Sequence, residues 1–390
     1  MKKILIFSTA YYPFVGGAEV AVKEITDRVF DFEFDLITAK FNKDIPKFEK
    51  IKNVNVYRLG FGFPTIDKLL LPFWGAIFAL NLTNKNHYDF YWCIMATFAS
   101  GAAYVANLLH FWKPVPIALT LQEGDSEEHF KKHWFGLINL SWWLALKNTK
   151  ILTVLSSYLA KRAKKFGYKG DIKIIPNGVD TKNFDVNVSS IEKLEIRHKL
   201  NLNENDLVLI TASRLTLKNG IEYVIKSLPK LPVNVKFLIL GEGELKEELQ
   251  KLAKILKVSE RVVFKGFVAH TEMPKYLKIS DIFIRPSLSE GMGNSFIEAM
   301  AAELPVIATQ EGGISDFLFD PDLNSDKKPT GLAVKPRDPE GIAKQTLRFI
   351  EDTELTKQIV SNAKKMVFEK YDWDLIAKDM REKVFWPLLK

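Results

Sequence analysis

Short, continuously apolar runs, each followed by a segment of helical character, recur along this chain, and the series begins twice. The first series lies at 3–8, 34–39, 54–59, 90–95, 116–121, 150–154 and 173–175, the second at 208–213, 236–240, 262–265, 281–285 and 305–308. Runs this short and this apolar suit strands buried on both faces, and strands alternating with helices build a parallel, doubly wound sheet. Between the two series stands Pro176-Asn177-Gly178-Val179-Asp180, a turn-rich stretch, with a polar segment through Ser189 and Ser190 behind it. The pattern predicts two similar α/β domains with a hinge near residue 180. Ligands of such sheets bind beyond the carboxyl ends of the strands, and the cleft between two domains is the default site.

A chain of 390 residues exceeds what one hydrophobic core usually serves. With 47% hydrophobic and 26% charged residues both domains can be packed, which excludes a disordered chain. The single cysteine, Cys93, excludes a disulfide framework and a cysteine-built zinc site, and makes a reducing compartment the default. No run reads as a transmembrane helix, because 69–82 is interrupted by Pro72 and is shorter than the ~18–20 residues needed to span a bilayer. Residues 1–19 combine two lysines with an apolar run, as a signal peptide does, but the run is short and a buried first strand is expected.

The formal charge of +8 points to an anionic partner, and its distribution is uneven. Residues 1–180 carry 23 Lys+Arg against 16 Asp+Glu, net +7, which leaves +1 for the remainder. Six of the eight tryptophans lie in the same half (Trp74, Trp92, Trp112, Trp134, Trp142, Trp143). Basic and aromatic residues together mark a membrane interface at least as well as a nucleic-acid surface, and no nucleic-acid-binding module accompanies them.

Four stretches suit a ligand with phosphates and hydroxyls. Gly16-Gly17 follows the first strand and precedes a helix, where backbone N–H groups can approach an anion; a plain turn is the alternative. Arg214 and Lys218, after the first strand of the second series, suit a diphosphate, Arg as a two-pronged donor and Lys as a point charge; a pair of solvated surface charges is the alternative. In 286–300 a glycine-bearing loop follows a strand and a helix begins near Asn294. The amides near Gly293 to Ser295 would face a phosphate, Glu298 would reach ribose hydroxyls, and Glu290 a second set of hydroxyls; an acid-capped helix start is the alternative. Gly312-Gly313 makes a fourth strand-to-helix turn.

Together these stretches resemble the family 4 glycosyltransferases, retaining sugar-nucleotide enzymes with the GT-B fold of two Rossmann-like domains facing across a cleft. The resemblance rests on YYPFVGGAE at 11–19, IIPNGVD at 174–180, SRLTLKNGIEYVIKSL at 213–228, LILGEGEL at 238–245, VVFKGFV at 262–268, PSLSEGMGNSFIEAMAAELPVIAT at 286–309 and EGGISDFL at 311–318. It implies an acceptor-binding domain at 1–180, joined by a C-terminal helix at about 371–390 that packs back on it, and a nucleotide-sugar domain at 181–370. It also implies that Arg214 and Lys218 bind the donor diphosphate, Glu298 the ribose and Glu290 the transferred sugar. Gly291, Met292, Gly293, Asn294 and Ser295 would line the sugar and phosphate region, with Phe267 and Val268 near the nucleobase and Gly16 and Gly17 closing over the reacting centre.

The chain departs from the family pattern at two informative places. Asn219 stands where lysine commonly precedes the glycine, with Lys218 one position earlier, so either side chain is a candidate for the phosphate. Gln122 fills a position that is histidine in many relatives, which excludes a mechanism needing that base; Glu123 and Asp125 are candidates for orienting the acceptor. The resemblance implies front-face displacement assisted by the leaving diphosphate, no cofactor besides the nucleotide-diphosphate sugar as co-substrate, and no metal. Asp320-Pro321-Asp322 reads as a turn. The segment from His129 through Trp134, Trp142 and Trp143 to Lys147, with 69–82, is expected to meet an anionic membrane surface, or else to pack inside. The expected enzyme is cytoplasmic and peripheral on the inner face of the cell membrane, and acts on a glycan or lipid-linked acceptor. A nucleotide-sugar epimerase of the same architecture and a catalytically silent scaffold are the other readings.

Overall fold

The computed structural model describes residues 1–124 and 137–389, and the chain divides into two compact units, Met1–Asn177 with Trp373–Lys390, and Gly178–Asp372. The first unit holds an eight-stranded sheet of β1 (Lys2–Phe7), β2 (Phe32–Ala39), β3 (Phe48–Ile51), β4 (Val54–Leu59), β5 (Phe90–Ile94), β6 (Ile117–Leu121), β7 (Ile151–Val154) and β8 (Ile172–Ile174), in the order β3-β4-β2-β1-β5-β6-β7-β8. Every pairing is parallel except β3 with β4. The central strands β1 and β5 are buried residue after residue, as strands covered on both faces must be. The residues on one side of β1, β2 and β5, among them Ile6, Phe34 and Trp92, share a core with Trp373, Met380 and Phe385 from the C-terminal segment. Phe385 lies 5.2 Å from the Trp92 ring and 5.5 Å from those of Phe32 and Phe90, which fixes that segment in the first unit.

Two features of this unit depart from expectation. The edge strand β3 has no apolar run to announce it: three of its four residues, Phe48, Glu49 and Lys50, are exposed, and it is held by backbone pairing to β4. The second departure is that Pro72 does not interrupt its segment; a single helix runs Pro64–Lys85, 22 residues, long and apolar enough by length and composition to cross a membrane. The proline removes one helical N–H, and close packing offsets that loss. A Cβ on Gly101 of the helix Phe98–Leu109 would lie 3.1 Å from the Pro72 ring, and one on Gly75 would lie 2.8 Å from Ala102. Glycine at those two contacts lets the helices approach closely along the side that faces the protein. The other side of Pro64–Lys85 is bare, with Ile66, Leu69, Phe73 and Ile77 all exposed.

The second unit carries a six-stranded, all-parallel sheet of β9 (Leu207–Ala212), β10 (Val235–Leu240), β11 (Val262–Gly266), β12 (Ile282–Arg285), β13 (Val306–Ala308) and β14 (Leu332–Ala333), in the order β11-β10-β9-β12-β13-β14. Two-residue β14 is too short to show as an apolar run. The chain winds outward from β9 to β10 on one side and, after β11, returns to β12 on the other. The reversal of strand order therefore falls between β9 and β12, where the connections leave the sheet in opposite directions and open a crevice.

Candidate active site

Five connections cluster beyond the carboxyl ends of β9 to β13, and backbone hydrogen bonds tie them together. The Leu288 N–H donates to the Lys218 carbonyl (2.7 Å), Leu215 to Glu242 (3.0 Å), Gly241 to Gly266 (2.8 Å) and Gly313 to Glu290 (3.1 Å). The backbones approach so closely that a Cβ on Gly312, where φ is +62°, would lie 1.9 Å from the Glu290 carbonyl oxygen. Gly312-Gly313 opens a single 3-10 turn, Gly312–Asp316, rather than a longer helix.

In the loop after β9, Arg214 is exposed and Lys218 half-buried. Asn219 is buried and its carboxamide donates to the Arg214 carbonyl (2.6 Å). Through that hydrogen bond Asn219 braces the loop, on which Arg214 and Lys218 are the two cations. Opposite, the helix Asn294–Ala301 starts from Gly293 at φ +87° with no side chain capping it, and residues 293–295 are partly exposed. Backbone amides at a helix start carry the positive end of its dipole and suit an anion. Met292 is buried.

Both glutamates of the expected pair have partners. Glu298, 8% exposed, meets the His270 imidazole (Nε2 to Oε1, 3.0 Å), and His270 lies 5.4 Å from the Phe184 ring. Glu290 accepts from the Arg285 guanidinium at Oε2 (2.8 Å) and from the Gly291 N–H at Oε1 (3.0 Å). Neither His270 nor Arg285 stands out in the sequence. Arg285 is the last residue of an apolar run and reads there as strand, its only signal being a charge where its neighbours have none. Burial disfavours its charge and the nearby carboxylates of Glu290 and Glu298 oppose that effect. Near the carboxyl ends of β9 and β12, three buried side-chain atoms, Thr211 Oγ1, Ser213 Oγ and Ser287 Oγ, make no hydrogen bond. Buried polar atoms without partners are uncommon in a finished interior and frequent where a ligand or water belongs. Phe267, at the end of β11, is 78% exposed, with Val268 half-buried next to it.

The sites expected in the first unit look different. The Gly16 N–H is taken by the Glu19 carboxylate (2.8 Å) at the start of the helix Gly17–Thr26, so Gly16 serves its own helix terminus. Gln122, just beyond β6, accepts from the Asn177 carboxamide (3.3 Å). Glu123 is buried, and its carboxylate receives the Ala96 and Gln122 amides, which joins the ends of β5 and β6. Asp125, and residues 129–135 of the expected interfacial segment, fall outside the described residues. Trp142 of that segment is buried against Phe166, a correction to its expected place at a membrane, whereas Trp143 is about half exposed with Lys147 over its ring. Asp320 accepts from the Asp322 and Ala333 amides, which makes 320–322 the turn its sequence predicts.

Burial pushes the Glu123 carboxyl up to about 7, against the lowering effect of its amide donors and of Arg162. A carboxyl raised on folding holds its proton in the folded state after the unfolded chain has lost it, so stability falls as pH climbs from the unfolded pKa through about 7. Glu123→Gln is expected to remove this slope. Relative to the variant, the natural chain should lose up to about 3 kcal/mol between pH 4.5 and 8, read as the pH dependence of denaturation midpoints. Parallel curves for the two proteins would contradict the assignment.

Residues 192–366 match the family described as Glycosyl transferases group 1, and residues 15–183 match Glycosyltransferase Family 4. An uncharacterized glycosyltransferase of Methanocaldococcus jannaschii is 30% identical over 97% of this chain and 96% of its own length. A GDP-mannose-dependent alpha-(1-6)-phosphatidylinositol monomannoside mannosyltransferase of Mycobacterium tuberculosis is 30% identical over 60% of this chain and 61% of its own. Among solved structures, sucrose-phosphate synthase from Thermosynechococcus elongatus superposes with a TM-score of 0.84 at 19% identity, covering 100% of this chain and 99% of that one. Two parallel-sheet units, a crevice at the strand reversal of the second, and a full-length relative at this identity lead to one assignment: the chain is a GT-B glycosyltransferase and belongs to family 4.

Proposed function

We propose that the chain is a retaining, metal-independent hexosyltransferase that moves a sugar from a nucleotide-diphosphate sugar to a hydroxyl of a glycan or lipid-linked acceptor in cell-surface polysaccharide or glycolipid synthesis. The observation that carries this reading is the convergence, at one strand reversal, of Arg214 and Lys218, the N-terminus of the helix Asn294–Ala301, and two carboxylates held by partners. The cations and amides suit a diphosphate, while Glu298 and Glu290 suit the hydroxyls of ribose and of the transferred sugar. In this reading the bond from the sugar's anomeric carbon to the diphosphate breaks and a bond to the acceptor oxygen forms on the same face. The acceptor's proton passes to the departing phosphate oxygen. The protein's part is to position the partners and to stabilise the charge that grows on the phosphate. Such a scheme needs no histidine at Gln122.

Incubation with UDP-, GDP- and ADP-sugars tests the reading. Acceptor-dependent release of nucleoside diphosphate supports transfer. Isomerised sugar without release would show an epimerase, and the absence of both would leave the silent scaffold.

We further propose that the enzyme works at the cytoplasmic face of a membrane, docked through the bare side of Pro64–Lys85. Ile66, Leu69, Phe73 and Ile77 follow helical spacing, so the outward side presents an apolar stripe where a solvent-facing helix would be polar. Lys43 sits 4.3 Å from the Phe63 ring and Lys68 4.6 Å from the Phe98 ring, which places ammonium groups beside aromatics at the helix's N-terminal end, as at a headgroup layer. The excess of positive charge lies in this half of the chain. A phosphatidylinositol-based acceptor, as the name of the mycobacterial relative gives it, is delivered at such a surface. Phe73→Glu with Ile77→Glu is expected to reduce co-flotation with anionic vesicles about 100-fold, since burying each side chain contributes ~1.5–3 kcal/mol. Nucleoside diphosphate binding, which belongs to the other unit, should not change. Flotation equal to that of the natural chain would rule this surface out.

A further inference from the structure

In the reading above Arg285 enters only as the partner that holds Glu290, yet it is a deeply enclosed cation at the site. Its side chain is 6% exposed and its guanidinium makes three kinds of contact. Nη2 donates to Glu290 Oε2 (2.8 Å), and Nη1 donates to Ser295 Oγ (2.9 Å) and, at longer range, to the Ala212 carbonyl (3.4 Å). The plane of the group lies over the Phe296 ring, 4.1 Å from its centroid. One side chain thus joins the end of β9, the middle of the 286–293 loop and the first turn of the following helix. Gly293 covers it so closely that a Cβ there would lie 2.5 Å from Nη2 and 2.6 Å from Phe296. Nε makes no hydrogen bond, so the contacts are concentrated on the two terminal nitrogens that face Glu290 and Ser295.

A buried guanidinium is costly unless a carboxylate compensates it, and the paired carboxylate then loses its freedom to rotate. Glu290 is that partner, and its second oxygen is held by the Gly291 amide. A carboxylate fixed at both oxygens still has unused lone pairs, and these point in directions set by the pair rather than by the loop's own preferences. A bidentate acceptor whose rotamer is fixed in advance can distinguish the hydroxyl pattern of one sugar from another, which a freely rotating one does poorly.

We propose that Arg285 is a positioning residue: it acts through Glu290, aiming that carboxylate at the hydroxyls of the transferred sugar, and contributes to the choice of sugar and to turnover rather than to nucleotide binding. This rests on the reading of the second unit as the donor site. Arg285→Met removes the guanidinium and keeps much of its volume; Arg285→Lys keeps the charge without the fork.

With the best donor from a panel of UDP-, GDP- and ADP-sugars, Arg285→Met is expected to lower kcat about 100-fold, the scale of a misplaced catalytic contact. Its Kd for the matching free nucleoside diphosphate should stay within about threefold, as expected of a residue that acts on the sugar alone. Arg285→Lys should recover part of the loss. Because the effect runs through Glu290, the double variant Arg285→Met, Glu290→Gln should be no slower than Glu290→Gln alone. Multiplied losses in the double variant, or nucleoside diphosphate affinity that falls in step with kcat, would overturn the proposal and leave Arg285 a support for the loop as a whole. An unchanged kcat in Arg285→Met would overturn it as well, while the donor-site reading stood. If the natural chain bound none of the three diphosphates, the donor-site reading would fail and the proposal with it.

Discussion

Replacing Arg214 and Lys218 together by alanine is expected to weaken nucleoside diphosphate binding about 1,000-fold, because each contributes a charge-assisted contact of ~2 kcal/mol to a phosphate. The two single variants should not be equal. Lys218 is half-buried and Arg214 exposed, so water screens the arginine more and Lys218→Ala should account for the larger part. Raising the salt concentration should weaken the natural chain's binding more than the double variant's, since the variant has lost the charges that salt screens. Asn219→Ala provides the contrast: its carboxamide serves the Arg214 carbonyl, so the loss should appear in thermal stability, with a smaller effect on affinity. Calorimetric titration with UDP, GDP and ADP measures all of these. Binding by the double variant within threefold of the natural chain would show the two cations to be ordinary surface charges.

Glu298→Ala is expected to cost about 100-fold in nucleoside diphosphate affinity, as two hydroxyls lose an ionised acceptor at ~1.5 kcal/mol each. The more telling readout is discrimination. The natural chain should bind a ribonucleoside diphosphate far better than its 2′,3′-dideoxy analogue, because the analogue leaves a nearly buried carboxylate without its hydroxyl partners. In Glu298→Ala the two ligands should bind alike. Changing His270 to alanine frees Oε1 of Glu298 but leaves the carboxylate in place, so affinity should fall while preference for ribose survives. Equal affinity for both analogues in the natural chain would mean that Glu298 does not meet the ribose.

The cations and carboxylates of the candidate site were legible in the sequence because they occupy connections between strands that announce themselves. A run such as 208–213 or 236–240 is apolar throughout, since both faces of a parallel strand are covered, and glycines mark where the chain turns back. Elements without that constraint were missed. β3 is an exposed edge held by backbone hydrogen bonds, and β14 has only two residues, so neither needs an apolar run. Pro72 was misread for the opposite reason. Local propensity argues against a helix through proline, yet Gly75 and Gly101 provide a packing surface that outweighs the missing hydrogen bond.

By itself the sequence determined the alternation of strands and helices, two sheets rather than one, and the loops in which the site's cations and carboxylates lie, because periodicity and turn chemistry are properties of neighbouring residues. Only the tertiary structure decided what each polar side chain does. It turned Asn219 and Glu123 inward and left Lys218 half-exposed, moved Trp142 into the core while baring Phe73 and Ile77, and set Arg285 beneath Glu290 and His270 beside Glu298. The physical reason is that a buried polar group must find a partner, and that partner is chosen by proximity in the folded chain, across 5 positions for Arg285 and Glu290 and 28 for His270 and Glu298.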